Sequence, residues 1–197
     1  ALQREDRLDD ASAAYAEGLE AAEKAGDAGT VATMRLNLAG IAKTRGDLAG
    51  SLEHLEAAVD MGRRSGRIAT LRQALLNLAN LDIYLGRLER AQQSLVELTV
   101  ERALLPPHQA AQLLSLEAES AAKSGDMNRA GELCLRAAEA YEVIGRSIDA
   151  AEARLERVLF IAQLPGATAS VLQAEIDRAE AAVSTTGAHR PLFGPAR

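Results

Sequence analysis

The chain lacks most of what a sheet-rich or disulfide-stapled fold needs. Tryptophan is absent, aromatic residues make up 3% of the 197 positions, and there is one cysteine. A single cysteine cannot close an internal disulfide, so the sequence points to a reducing, cytoplasmic setting. The shortage of aromatic and β-branched residues argues against sheet. Lysine is also scarce, at 3 of 22 basic residues, and the net charge is -6. Without a basic excess to neutralise phosphates, nucleic acid is excluded as a partner of this segment. No run approaches the ~18 uninterrupted apolar residues of a membrane span, and no basic-then-apolar signal peptide opens the chain.

What is present is helix-forming. Of the residues, 48% are apolar, and 41 are alanine. Alanine, leucine, arginine and glutamate lead the helix propensity scale, so an all-α fold is expected before any pattern is read. Breakers then fall at near-even steps of 19 to 21 residues: Gly26, Gly46, Gly66, Gly86, Pro106, Gly125, Gly145 and Gly166. A glycine just past a helix can adopt positive φ and close its C-terminus, and proline prevents continuation.

The breakers sort into two alternating sets. Arg45-Gly46-Asp47-Leu48, Leu85-Gly86-Arg87-Leu88 and Ser124-Gly125-Asp126-Met127 form one recurring turn, and Asp6-Arg7-Leu8 matches it without the glycine. The other set is Ala25-Gly26-Asp27, Ser65-Gly66-Arg67, Leu105-Pro106-Pro107 and Ile144-Gly145-Arg146. Two turns alternating at a shared period of about 40 residues predict a repeated helix-turn-helix unit. Apolar stripes agree: Leu48, Ser51, Leu52, Leu55, Ala58 and Val59 share one helix face, and Met127, Ala130, Cys134, Ala137 and Ala138 share another. Small residues such as Ala11, Ala91 and Ala130 stand where two helices must cross closely.

The runs Asn37-Leu38-Ala39, Gly46-Asp47-Leu48, Ser51, Leu55, Ala58 and Asn77-Leu78-Ala79, Gly86, Leu88, Ala91, Leu95 resemble the tetratricopeptide repeat (TPR), in the lengthened variety found in bacterial signalling and regulatory proteins. The likeness is partial from Gly125 to Ala137 and weak after Gly145. It implies a right-handed helix-turn-helix solenoid of about nine helices over residues 1–184, in units near 1–26 (incomplete), 27–66, 67–106, 107–145 and 146–184. The chain enters inside an amphipathic pattern, so a longer parent protein is expected, and the uncovered face of the first helix would favour self-association. Residues 185–197, with two prolines and no helical period, read as a linker to a following domain or as a tail folding back through Leu192 and Phe193.

No residue set is marked for chemistry. His54, His108 and His189 are scattered, no Gly-rich phosphate loop or nucleophile elbow occurs, and Cys134 takes a core slot, so no catalysis, metal or cofactor is expected. Acidic pairs such as Asp9-Asp10 are expected at helix starts. The resemblance implies that the first helix of each unit lines a concave groove. Carried over position by position, it gives four rows: Thr33, Gln73 and Gln112; Asn37 and Asn77, with Leu116 departing; Gly40, Asn80 and Glu119; and Thr44, Tyr84 and Lys123, with Lys43 beside them. The groove candidates are Asn37, Lys43, Gln73, Asn77, Asn80, Tyr84, Glu119 and Lys123. The asparagines offer donor and acceptor together, suited to an extended peptide backbone or, equally, to a neighbouring helix. Tyr84 reads as a partner anchor or as cover for a seam. The basic clamp by which some of these repeats grip a terminal carboxylate is not reproduced. Asp82 and Glu117 fall where Ala42 and Leu38 stand elsewhere, so each should find an arginine or a solvated groove edge, or else contact a ligand. The resulting expectation is a non-catalytic protein- or peptide-binding scaffold within a larger protein. The alternative is a ligand- or peptide-sensing domain of a multidomain bacterial regulator.

Overall fold

The computed structural model describes residues 2–184, with side chains from Arg7 onward. The expectations for the 185–197 segment lie outside the described residues. Among those residues there are nine α-helices and no strand: α1 (Leu2–Ala25), α2 (Ala28–Thr44), α3 (Leu48–Ser65), α4 (Ile68–Tyr84), α5 (Leu88–Val100), α6 (Pro107–Lys123), α7 (Met127–Val143), α8 (Ser147–Ile161) and α9 (Ala169–Ser184). A short 3-10 turn, Arg102–Leu104, follows α5.

The turns explain why the helices end where they do. After α2, Gly46 takes φ 81°, a conformation that side chains with a Cβ rarely adopt. That lets the Asp47 N–H reach back to the Ala42 carbonyl at 2.9 Å, satisfying one of the orphan carbonyls of the helix end. Asp47 then caps the next helix, its carboxylate accepting from the Gly50 N–H at 2.8 Å. Asp27 and Asp126 cap α2 and α7 in the same way.

Three expectations fail at the helix ends. The Asp6-Arg7-Leu8 turn does not form, because α1 runs straight through it. Without a glycine there, nothing stabilises the left-handed residue, and the surrounding residues continue the helix. Asp9 and Asp10 consequently lie inside α1 rather than at a helix start, and Asp9 pairs with Arg45. Finally, α5 stops at Val100, well before Pro106, with the intervening residues taken up by the 3-10 turn.

The chain divides into two compact units, Ala1–Ser94 and Leu95–Arg197. In the first, Leu38, Ala39, Leu55, Ala58, Leu75, Leu76 and Ala79 are buried. Gly62 permits the close crossing of α3 on α4, since a Cβ there would lie 3.1 Å from the Leu71 backbone. In the second, Ala111, Leu114, Leu133, Cys134, Ala137, Tyr141 and Ala153 form a continuous core of α6, α7 and α8. Alanine and glycine at the crossings keep the helices near the short end of the usual spacing. The many thin layers follow directly from a composition rich in alanine and poor in aromatics.

Candidate groove sites

In the Ala1–Ser94 unit, the register of the first helices carries the candidate residues. Each of α2 and α4 begins just after Asp27 or Arg67 and holds 17 residues, so Asn37 and Asn77 occupy equal positions, as do Gly40 and Asn80. Lys43, Asn77 and Asn80 come together with Gly40 around a cleft of about 130 Å³, floored by Ala39, Ser51 and Leu55. Gly40 has nothing within 4 Å of where a Cβ would stand, so it leaves this side of the cleft open. The Ser51 hydroxyl is occupied, donating to the Ala39 carbonyl at 2.9 Å.

The polar groups of the cleft are internally bonded. Lys43 donates its ammonium to the Asn80 Oδ1. Gln73 donates to the Asn77 Oδ1 at 3.1 Å. Each carboxamide oxygen thus already accepts one hydrogen bond, and the donors gathered at the cleft are two amide NH2 groups and an ammonium. Asn37 is half-buried and does not line the cleft, and Tyr84 stands at the last position of α4, 65% exposed. A larger recess of about 380 Å³ in the same unit, lined by Ala22, Val31, Arg35, Ala57 and Met61, was not anticipated. Its lining comes from three helices, and no single stretch of sequence marks it.

In the Leu95–Arg197 unit, Glu119 and Lys123 sit one turn apart on α6 and pair with each other at 4.0 Å. Counting from Arg146 extends the rows to α8, where Glu152 and Glu156 match Gln112 and Leu116. The weak likeness after Gly145 hid these two residues. Glu156 remains solvent-accessible but is crowded by the facing helices. That crowding first, and then the charges of Glu119 and Glu152, push its carboxyl above the usual range. Cys134 lies 3.9 Å from the Glu156 carboxylate and is fully buried. Burial, reinforced by Glu156, pushes its thiol up to about 12, so it stays protonated and is a poor nucleophile at neutral pH.

The two out-of-place acids each find arginine. Glu117 receives the Arg102 guanidinium on both oxygens, at 2.5 and 2.6 Å, and the Thr99 hydroxyl at 2.8 Å. Asp82 is approached by Arg90 at 3.5 Å and Arg87 at 4.0 Å. Among the described residues, no group of three or more histidine, cysteine or acidic side chains is arranged to hold a metal ion, and no helix is long and apolar enough to cross a membrane.

No protein-family model matches the sequence, and no curated protein sequence matches it. Solved structures do match the fold. The crystal structure of BtubC (BKLC) from P. vanneervenii is 19% identical, with a TM-score of 0.78, covering 99% of this chain and 80% of its own. A crystal structure of nearly identical TPR-like repeats, named for a kinesin light chain of Podosopora anserina, is 14% identical. Its TM-score is 0.70, and the match covers 94% of this chain and 91% of that one. At these identities the likeness concerns the fold, and it agrees with the alternating turns and paired helices: the chain has a TPR-like helix-turn-helix solenoid fold.

Proposed function

We propose that this segment is a non-catalytic scaffold that binds a protein or peptide partner, rather than nucleic acid, through the groove-facing sides of its first helices. The observation that carries the reading is the donor-rich cleft of Lys43, Asn77 and Asn80. Two amide NH2 groups and an ammonium match the backbone carbonyls of an extended segment, which projects acceptors at regular intervals. Tyr84, exposed at the end of α4, supplies an aromatic anchor on the same helix as Asn77 and Asn80. A TPR-like repeat fold is generally a non-catalytic platform for protein interaction, which supports the same reading. The negative net charge disfavours nucleic acid, and the single cysteine suits a cytoplasmic protein.

The test is selection of a random displayed peptide library on the folded chain, followed by binding of the enriched peptides to Asn77→Ala, Asn80→Ala and Tyr84→Ala. Each variant is expected to weaken capture by about tenfold, with helicity by circular dichroism unchanged. Enriched peptides that bind all three variants as well as the parent chain would place the interaction elsewhere and overturn the groove assignment.

A further inference from the structure

Helix α9, the last of the described helices, carries an acid at the centre of its buried stripe. Helix α7 buries Ala130, Gly131, Leu133, Cys134, Ala137, Ala138 and Tyr141, an almost wholly apolar face. Helix α9 buries two residues, Glu175 and Ala179. Its inner stripe reads Leu172, Glu175, Ile176, Ala179 and Val183, with the flanking apolar residues half-exposed and a carboxylate at its centre.

That carboxylate is enclosed by guanidinium groups. Arg154 of α8 donates to Glu175 Oε2 at 3.0 Å. Arg157 of α8 and Arg178 of α9 reach Oε1 at 2.6 and 2.5 Å. Arg154 is itself buried and turns its remaining nitrogens to Glu142 of α7, at 2.7 and 3.0 Å. One carboxylate thus ties α9 to α8, and one guanidinium ties that junction to α7. Three arginines face two glutamates in this cluster, and the Arg157 Nε is buried without a hydrogen-bond partner. The cluster is therefore well formed around Glu175 and leaves positive charge in excess.

We propose that α9 is a charge-latched helix: Glu175 and its three arginines, rather than apolar packing, hold it against α8, so that it opens as a separate step from the α6–α7–α8 body. Apolar burial is non-directional and weakens gradually as surfaces part. A buried ion cluster depends on its buried members, because losing one leaves an uncompensated charge. Opening exposes Arg154 and Arg157 on α8 and leaves the Cys134 core intact. The latch is thus a conformational device at the end of the described chain.

Amide hydrogen exchange on the whole chain tests it. In the parent protein, α9 amides should exchange at least about tenfold faster than those of α7. In Glu175→Gln, α9 should exchange about 100-fold faster again, with α7 unchanged. Equal rates for α9 and α7, or an α9 indifferent to Glu175→Gln, overturns the latch. The triple variant Glu175→Leu, Arg154→Met, Arg157→Leu keeps the question open to refutation if the single variant does not fold. Replacing the cluster by apolar residues of similar volume should keep α9 docked and abolish the change in its exchange between about 50 mM and about 500 mM sodium chloride. A triple variant that keeps the parent's salt response shows that the holding force was not ionic.

Discussion

Asp82 and Glu175 are buried to almost the same degree, 1% and 2% exposed, one in each compact unit. Their surroundings differ. Glu175 has guanidinium nitrogens on both oxygens at 2.5 to 3.0 Å. Asp82 has no well-formed hydrogen bond on either oxygen, and its nearest arginine nitrogens stand at 3.5 and 4.0 Å. For both, burial pushes the carboxyl upward. At Asp82 burial prevails over Arg90 and Arg87, and the carboxyl lies above its usual range. At Glu175 the combined pull of Arg157 and Arg154 outweighs burial, and the carboxyl lies below it. Depth alone does not determine whether a buried acid supports the fold. The number and closeness of its hydrogen-bonded partners do.

The comparison can be broken most forcefully at Arg154. Arg154→Ala strips Glu175 and Glu142 of a shared partner, and the docking of α9 should weaken by about 3–5 kcal/mol, read from amide exchange. A change below about 1 kcal/mol would make Glu175 no different from a surface acid. Acid should act on the same point. Because the folded pKa of Glu175 is depressed, its contribution is whole above the ordinary value of 4.5 and fades as pH falls from there through the lower folded value. Helicity monitored by circular dichroism should therefore fall in a step as pH drops through that range, and the step should vanish in the triple apolar variant.

Asp82 should respond with the opposite sign. The equivalent positions in α2 and α6 hold Ala42 and Ala121. Asp82→Ala removes a buried charge that is poorly paired, while Arg90 keeps its 2.5 Å contact with Glu56. Stability by urea unfolding should stay level or rise by about 1 kcal/mol. A loss of about 2 kcal/mol or more, on the order expected for a buried pair, would put Asp82 in the same class as Glu175. The smallest effect is expected at Arg178, whose side chain is 60% exposed. Arg178→Ala should lower stability by less than about 1 kcal/mol.

Much of the fold was legible because one chemical rule repeats. The glycines at 26, 46, 66, 86, 125 and 145 stand within two residues of the ends of α1, α2, α3, α4, α6 and α7. The rule failed where its agent was missing: Asp6-Arg7-Leu8 had the flanking residues of the turn but no residue suited to positive φ. It also failed at Val100, where the helix yields to a 3-10 turn that no breaker announces. The meeting of Lys43 with Asn80 was legible only in part: equal counts from equal turns align Gly40 with Asn80, and Lys43 stands one turn beyond Gly40. The Glu175 cluster was not legible, since its members come from three helices. The available signal was an acid on an otherwise apolar stripe, Leu172, Ile176, Ala179 and Val183.

The buried thiol at Cys134 has a practical consequence. As the one cysteine of the chain, enclosed by the core of α6, α7 and α8, it is a ready-made reporter that needs no engineered label. A thiol-specific reagent can reach it only when that core parts. Release of α9 alone should leave the sulfur unmodified. The rate of thiol labelling therefore times the breathing of the apolar body, while amide exchange in α9 times the latch, and the two clocks can be read on the unmodified protein.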